Sequence, residues 1–230
     1  MAKRGKLIVI DGVDGSGKNT QADLLIKHLR KEGKKVKIMD FPRYQDNFFG
    51  KFIGHCLSEQ YYNWTRIHPK IASIVYAADR FESKEKIEKW LKEGYIVILD
   101  RYISSNQIHQ GGKIANVKKR EAFMKWLAEM EYKVFKIPVP DLTIYLSLPI
   151  DLVMKLIKER NKKVGRAYLK GKKDAHEKDK KFMANSIKSA LWLARTQRGW
   201  VKVDCAKNGA MKTRKDIHEE VYKKIKKVVK

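Results

Sequence analysis

The sequence predicts a three-layer α/β/α fold with a five-stranded parallel sheet and a small helical lid. Three observations support this prediction: short apolar β-branched segments alternate with amphipathic helical segments, a glycine-rich turn joins the first strand to the first helix, and polar residues follow several of the strands. Strands that alternate with helices form parallel sheets with helices on both faces. Ligands of such sheets gather at the carboxyl ends of the strands, so we expect one cleft there.

Runs of apolar residues predict the strands, and apolar residues at helical spacing predict the helices. The strands are Leu7–Ile10, Val36–Met39, Tyr95–Leu99, Leu142–Leu148 and Val201–Val203. The helices are Lys18–Leu29, Gly50–Ser58, Ile71–Glu93, Val117–Tyr132, Ile150–Arg160, one that ends near Arg198, and Arg214–Val229. Gly33 and Gly94 are placed to end the helices before them.

Length and composition favour one globular domain, residues 1–230. The chain has 230 residues, 43% of them hydrophobic, which is enough for one large α/β domain and short for two. No apolar run approaches membrane-spanning length, and the N-terminus leads into the first strand without a signal-peptide pattern. Cys56 and Cys205 form no metal-binding spacing. We therefore expect a cytoplasmic, reduced protein with no membrane partner.

The formal net charge of +26 raises the question of nucleic-acid binding. The positive charge is mostly lysine and is spread along the chain, where it alternates with glutamate on helical faces. Dedicated single-strand binders carry basic segments interleaved with aromatic residues, and no such segment is evident. We therefore favour a solvated lysine-rich surface that attracts anionic nucleotides, and keep nucleic acid as an alternative partner.

The turn Gly12-Val-Asp-Gly-Ser-Gly-Lys18 has the G-x-x-x-x-G-K pattern of a phosphate-binding P-loop. Its glycines let backbone N–H groups surround phosphate oxygens, and the following helix adds the positive end of its dipole. We expect Lys18 to reach the β- and γ-phosphates. A chance glycine-rich turn is the alternative, which the strand–turn–helix context disfavours. The residues expected to bind ATP are Gly12, Gly15, Ser16, Gly17, Lys18, Asn19 and Thr20.

A magnesium site is expected beside the P-loop. The residue after the lysine is usually Ser or Thr, but here Asn19 precedes Thr20, so we expect Thr20 to hold Mg²⁺ directly or through water. Asp100 ends the third strand at the same sheet edge, where a carboxylate can bind Mg²⁺ or its waters. A helix-capping role is the alternative. Arg101 favours the metal site, because a guanidinium beside it neutralises phosphate charge.

Further motifs follow in order along the chain: Phe41-Pro-Arg43, Ala77-Ala-Asp-Arg80, Asp100-Arg-Tyr with Ser104-Ser105 and Gln110-Gly-Gly112, Pro140-Asp141 and Val203-Asp204. With the P-loop, this series resembles the thymidylate kinase family from near the N-terminus to beyond residue 200. The resemblance implies a P-loop NTPase-type fold and transfer of the ATP γ-phosphoryl group to dTMP. It also implies Mg²⁺ as cofactor and a homodimer built through helices that flank the P-loop unit.

The resemblance assigns the phosphate and sugar contacts of dTMP. Arg43, after Phe41 at the end of the second strand, would bind the monophosphate. Arg101 would bridge the acceptor and donor phosphates and, with Lys18, carry the catalytic charge. Asp14 would approach the sugar 3′-hydroxyl, although its position in a turn leaves a purely local role open.

The base contacts follow in the same way. Tyr76 would stack on thymine and Arg80 would hydrogen-bond it, and their spacing of four places both on one helical face. A core aromatic for Tyr76, and a surface pair of Arg80 with Asp79, are the alternatives. The remaining residues expected near the polar edge of the base and beyond it are Ser105, Asn106 and Gln110.

Two departures from the family pattern leave alternatives open. His109 stands where the family carries Tyr or Phe against the deoxyribose, so that a sugar contact and an ordinary surface histidine are both open. A kinase of dUMP, UMP or dGMP is therefore one rival. The other rival is a nucleic-acid-binding P-loop protein that has lost catalysis, favoured by Asn19 and the net charge and disfavoured by Lys18, Asp100 and Arg101.

The lysine-rich segment within 160–177 matches the mobile lid that covers ATP in the family. Some members carry an arginine inside the P-loop, where this chain has Gly15, and others supply it from the lid. The resemblance therefore implies a catalytic arginine at Arg160 or Arg166, and Gly165 favours Arg166 because it permits close approach. A solvated connector is the alternative.

Overall fold

A computed structural model of the chain describes residues 4–58, 61, 63–163 and 175–229; in 160–163, 175 and 178 only the backbone is described. Five parallel strands form the central sheet in the order β2-β3-β1-β4-β5. They are β1 (Leu7–Asp11), β2 (Val36–Asp40), β3 (Ile96–Asp100), β4 (Leu142–Ser147) and β5 (Trp200–Asp204). The strand that leads into the P-loop is therefore central, and the predicted parallel sheet is confirmed.

Helices pack around this sheet. They are α1 (Lys18–Lys31), α2 (Phe48–Leu57), α3 (Pro69–Glu82), α4 (Lys84–Lys92), α5 (Ile103–Ser105), α6 (Val117–Ala128), α7 (Ile150–Lys163), α8 (Ala175–Lys178), α9 (Lys180–Thr196) and α10 (Arg214–Ile225). A 3₁₀ turn covers Trp64–Arg66, and π-helical segments Asn106–Gln110 and Glu129–Val134 continue α5 and α6. A short antiparallel hairpin, β6 (Ala206–Lys207) and β7 (Ala210–Met211), follows β5.

Two apolar cores lie on opposite faces of the sheet. Successive side chains of a strand point to opposite faces, and in β1 Ile8 belongs to one core while Leu7 and Val9 belong to the other. The first core contains residues of α1, α7 and α10; the second contains residues of α4, α6 and α9. Every residue of β1 is buried, which holds the start of the P-loop in a fixed place.

The predicted helix Ile71–Glu93 is two helices, α3 and α4, which meet at Ser83. The Asn47 amide, from before α2, donates a hydrogen bond of 3.1 Å to Ser83 Oγ. Serine favours helix ends because its hydroxyl competes with the helical backbone pattern. A contact between distant residues therefore lies at the break, and helical periodicity does not reveal it.

None of the helices in the described ranges combines the length and the apolar composition that crossing a membrane requires. The expectation of a cytoplasmic protein stays a prediction.

Candidate active site

A pocket of about 780 Å³ opens at the carboxyl edge of the sheet. It is lined by the P-loop, the ends of β2 and β3, helix α3 and the segment that follows β3. Gly12 and Ser16 are buried inside the turn. The pocket wall brings together these residues singled out from the sequence: Asp14, Gly15, Gly17, Lys18, Asn19, Thr20, Phe41, Arg43, Tyr76, Arg80, Asp100, Arg101, Ser105, Asn106, His109 and Gln110.

The P-loop has the glycine-dependent geometry that its sequence predicts. Gly15 and Gly17 adopt φ of 82° and 86°, a left-handed conformation that side chains disfavour. A Cβ atom on Gly12 would lie 2.4 Å from Ser16 Oγ and 2.9 Å from the Leu146 carbonyl oxygen. Helix α1 begins directly after Gly17, so its first N–H groups lie beside the pocket. This arrangement suits an anionic ligand.

Lys18 presents a buried ammonium group at the start of α1. Its side chain is 6% exposed, and Nζ donates a hydrogen bond of 3.2 Å to the Val13 carbonyl oxygen. Nζ also lies 3.7 Å from Asp14 Oδ1. Burial, followed by the positive charge of Arg101, lowers the pKa of Lys18. Contact with an anionic phosphate would stabilise the charged form of Lys18, which burial disfavours.

Asp100 and Thr20 both line the pocket and are the residues there that could hold a divalent cation. Asp100 is 6% exposed, and its Oδ1 has no hydrogen-bond partner among the described residues. Burial raises the pKa of Asp100 to about 6, although the charges of Lys18 and Arg101 oppose this shift. A buried carboxylate oxygen is a suitable ligand for Mg²⁺ or for its waters.

Arg101 is held by a network of contacts. Its Nη2 donates to Asp14 Oδ1 at 2.6 Å, and Nη1 lies 3.6 Å from Asp11 Oδ1. Nη1 also lies 3.4 Å from Ser105 Oγ and 3.2 Å from His109 Nε2. The backbone of Arg101 adopts a φ of 67°, a strained conformation for a residue other than glycine. The surrounding contacts therefore fix both the backbone and the guanidinium.

Asp11 is a site residue to which the sequence reasoning gave no role. It is fully buried, and its carboxylate accepts hydrogen bonds from Gly12 N at 2.7 Å, Ser104 Oγ at 2.5 Å and Ser105 Oγ at 2.8 Å. Asp11 thus joins the start of the P-loop to the segment after β3. A charged residue directly after a buried apolar strand was the available signal.

Arg80 lines the pocket and is paired with a second residue that the sequence did not indicate, Glu131. Its Nε and Nη2 donate to the two Glu131 carboxylate oxygens at 2.7 and 2.5 Å. Glu131 also accepts a hydrogen bond of 3.2 Å from Asn106 Nδ2. Arg80 is 2% exposed and Glu131 is fully buried, so the alternative of a surface pair with Asp79 is wrong.

Arg43 and Tyr76 also line the pocket. Arg43 Nη1 donates to Asp40 Oδ1 at 2.7 Å, and Nη2 contacts Asp46. The Tyr76 hydroxyl accepts a hydrogen bond of 2.9 Å from Trp64 Nε1, which orients the ring. Tyr76 and Arg80 both line the pocket, as their spacing on one helical face predicts.

Gln110 and His109 also line the pocket. Gln110 is 1% exposed, and neither amide atom of its side chain has a hydrogen-bond partner among the described residues. His109 contacts Arg101 and stacks on Phe182, so the alternative of an ordinary surface histidine is wrong.

The lid prediction falls mostly outside the described residues. Arg166 lies in the undescribed range 164–174, and of Arg160 only the helical backbone is described. His176, near the end of the predicted lid region, lines the pocket. The lid over 160–177 and the extent of the domain, 1–230, stay predictions.

Comparison with known proteins identifies the family. A family model described as thymidylate kinase matches residues 10–227. A probable thymidylate kinase of Thermococcus onnurineus is 36% identical over 159 residues, which cover 67% of this chain and 72% of that protein. One of Pyrococcus horikoshii is 35% identical over 159 residues, with 68% and 72% covered. A thymidylate kinase of Plasmodium falciparum is 29% identical over 147 residues, with 64% and 63% covered.

The fold has the same relationship. A solved structure of thymidylate kinase from Candida albicans matches with a TM-score of 0.73 at 24% identity, covering 99% of this chain and 93% of that chain. The family match spans nearly the whole chain, including the P-loop from residue 10 onward. The chain therefore belongs to the thymidylate kinase family and is an ATP-dependent nucleoside monophosphate kinase that acts on dTMP.

Proposed function

We propose that the pocket at the carboxyl edge of the sheet is where the γ-phosphoryl group passes from ATP to dTMP, giving ADP and dTDP. The observation that carries this proposal is that Lys18 and Arg101 line the same pocket as Arg80. One end of the pocket is built for phosphate and the other can read a base. Two nucleotides bound there would meet phosphate to phosphate, which in-line transfer requires.

At the phosphate end, positive side chains offset the charge of the two facing phosphates. Lys18 would contact the β- and γ-phosphates of ATP, and Arg101 would lie between donor and acceptor. Arg43 would bind the dTMP phosphate in exchange for its two aspartate partners, which are 63% and 59% exposed. Exposed ion pairs of this kind contribute about 0–1 kcal/mol, so the exchange costs little. Asp14 would approach the sugar 3′-hydroxyl, and Arg166 or Arg160 would add charge from the lid.

The buried Asp100 oxygen, which has no hydrogen-bond partner in the described part of the chain, and Thr20 in the lining of the same pocket support a role for these two residues in holding Mg²⁺. When bound, the ion would neutralise charge on the β- and γ-phosphates of ATP. Asn19 is exposed at the pocket rim and is not needed for this role.

At the base end, the contacts favour a pyrimidine with a keto group at C4. Asn106 Nδ2 donates to Glu131 and to the Ser73 carbonyl oxygen at 3.1 Å, which leaves Oδ1 to accept from a base N3–H. Within the described ranges Arg80 Nη1 makes one long hydrogen bond, 3.4 Å to the Tyr102 carbonyl oxygen, so it can donate to a keto oxygen at C4. Thymine and uracil match this pair, whereas cytosine presents the reverse pattern. Tyr76 would stack on the ring.

A panel of monophosphates tests the proposed function. With saturating Mg²⁺·ATP and an assay coupled to ADP release, we expect the highest kcat/KM for dTMP. We expect dCMP to be slower by at least about 100-fold, because its edge leaves buried polar groups unpaired. Faster turnover of dUMP, UMP or dGMP would replace dTMP as the substrate. Salt-sensitive DNA binding without monophosphate-dependent ADP release would favour the nucleic-acid alternative.

We also propose that the chain is a homodimer through α3. Ile71, Ile74 and Phe81 lie on one side of α3 and are 55%, 42% and 50% exposed, and Phe48 at the start of the neighbouring helix α2 is 73% exposed. A stripe of exposed apolar residues of this length marks an interaction surface. An isologous contact of two α3 helices would bury it.

The oligomeric state checks this interface. We expect the wild-type chain to elute as a dimer in size-exclusion chromatography with light scattering, and the Ile74→Glu variant to elute as a monomer, because two buried carboxylates would face each other. Lys223→Glu, an exposed residue of α10, which packs on the other core, is the control and should remain dimeric. A monomeric wild-type chain, or a dimeric Ile74→Glu variant, contradicts the proposal.

A further inference from the structure

His109 lies in the π-helical segment after α5, between Arg101 and helix α9. Its Nε2 is 3.2 Å from Arg101 Nη1, and its Nδ1 is 3.1 Å from Ser186 Oγ. The ring stacks on Phe182 with a centroid distance of 5.8 Å and an interplanar angle of 12°. Both nitrogens and one face of the ring are therefore engaged inside the protein.

The hydrogen bonds determine which nitrogen of His109 carries the proton. Ser186 Oγ donates its only proton to the Phe182 carbonyl oxygen at 2.9 Å, so it can only accept from His109. The proton of the neutral imidazole is therefore on Nδ1. Nε2 then presents a lone pair to Arg101, whose guanidinium can only donate. Burial, and then the positive charge of Arg101, lower the pKa of His109 well below its usual range, in agreement with a neutral ring.

The contact with His109 is one of those that the Arg101 guanidinium makes. Asp14 holds Nη2 at 2.6 Å, whereas Nη1 lies 3.2 Å from His109, 3.4 Å from Ser105 and 3.6 Å from Asp11. The Ser105 hydroxyl donates its proton to Asp11, and its oxygen accepts from Nη1 at a longer distance than His109 does. His109 is thus the nearest of these partners of Nη1 and, with Asp14 on Nη2, can hold the plane of the guanidinium.

Ser186, the partner of His109 Nδ1, lies in a tightly packed part of the protein. Ser186 is fully buried in α9, and α9 packs closely against the segment that carries His109. A Cβ atom on Gly112 would lie 3.0 Å from the backbone of Asn185 and Ser186, so the two segments are in direct backbone contact. The place of His109 is therefore set by the body of α9.

We propose that His109 is a positioning residue, which holds the Arg101 guanidinium for phosphoryl transfer by accepting its hydrogen bond while Ser186 holds the imidazole. This role rests on the proposed function, because it concerns the arginine that bridges the two phosphates. It differs from the sugar contact that the family pattern suggests, since both ring nitrogens are used within the protein. A phenylalanine side chain at this position has no acceptor for the Arg101 N–H and could not make this hydrogen bond.

Four variants separate positioning from packing and from sugar binding. His109→Phe keeps the stacked ring without an acceptor, and His109→Gln keeps an acceptor oxygen near the place of Nε2. Ser186→Ala removes the group that holds the tautomer, and His218→Gln, on α10 outside the pocket, is the control. We expect His109→Phe to lower kcat about 10- to 100-fold while KM for dTMP changes less than about threefold. His109→Gln should recover kcat to within about threefold of wild type.

Nitrogen-15 NMR of the imidazoles gives a readout that does not depend on activity. In the wild-type chain at neutral pH we expect the His109 ring to be neutral with its proton on Nδ1, and Ser186→Ala to shift this signal toward the mixed tautomers of a free imidazole. A proton found on Nε2, or a charged ring, overturns the proposal. This result stands even if the wild-type chain fails to phosphorylate dTMP, which would overturn the proposed function instead.

The kinetic outcomes are equally decisive. A raised KM for dTMP with wild-type kcat in His109→Phe would show a sugar contact and overturn the positioning role. Equal losses of kcat in the Phe and Gln variants would show that packing, and not the acceptor, matters. The kcat of the Phe variant is not interpretable if its melting temperature falls. The other two variants then test the proposal, which requires a kcat close to wild type in His109→Gln and a reduced kcat in Ser186→Ala.

Discussion

Replacing Lys18 with alanine is expected to lower kcat by about 100- to 1,000-fold while the chain still folds. Lys18 supplies a charge that is 6% exposed at the start of α1, where water cannot replace it. Removing one preorganised group that stabilises transition-state charge costs about 2.7–4 kcal/mol, which corresponds to that loss in rate. Steady-state kcat at saturating Mg²⁺·ATP and dTMP measures the effect.

The same helix provides the matched control. Lys27 is exposed on α1, away from the pocket, so Lys27→Ala should keep the wild-type kcat. Within the protein, Lys18 Nζ has a 3.2 Å hydrogen bond to the Val13 carbonyl oxygen, whose loss affects a short turn only. Circular dichroism should therefore show an intact fold in both variants. A Lys18→Ala variant that retained kcat within about threefold would remove the proposed role of this residue.

The sheet could be predicted from the sequence because its strands are specified locally. A buried strand between two helical layers requires an uninterrupted apolar run, and β1 and β3 are such runs, buried along their full length. Helix ends were less predictable when they depend on distant residues. The break at Ser83 involves the Asn47 amide, 36 residues earlier in the chain.

The apolar residues of α3 show a second limit of sequence analysis. Ile71, Ile74 and Phe81 recur at the spacing of a core-facing helix, yet they are 55%, 42% and 50% exposed. Periodicity shows that a helix has an apolar side and does not show what covers it. The same pattern fits a core and an interface between two chains.

The part of the site whose residues follow one another in the sequence, the P-loop, was predicted. The P-loop binds phosphate through neighbouring backbone groups, so its sequence contains the whole geometry. Asp11, Glu131 and Ser186 each contact a residue far away in the chain: Ser105, Arg80 and His109, at separations of 94, 51 and 77 residues. A single sequence contains no sign of such pairs. His109 could be located in the pocket, whereas its hydrogen bonds to Arg101 and α9 required the fold.

Removing the carboxylate of Glu131 is expected to reduce the free energy of unfolding by about 3–5 kcal/mol, because Arg80 would be left as an uncompensated buried charge. Glu131 is fully buried and Arg80 is 2% exposed, so water cannot replace the lost partner. Urea denaturation of Glu131→Ala, followed by circular dichroism, measures the change. Glu129→Ala, an exposed residue of the same π-helical segment, should be close to wild type.

The pair also links stability to base recognition. Glu131 accepts from Arg80 and from Asn106, so it orients both the donor and the acceptor proposed to read the base. Glu131→Gln keeps one oxygen that can accept from either Arg80 or Asn106. Its NH₂ group is a donor, as the Arg80 guanidinium is, so the contact between them is unfavourable. We therefore expect a smaller loss of stability than in Glu131→Ala, together with a dTMP-to-dCMP ratio of kcat/KM reduced by about tenfold. Destabilisation with an unchanged ratio would show that Glu131 supports the fold alone, since a residue that aims both base contacts cannot be altered without weakening the discrimination they provide.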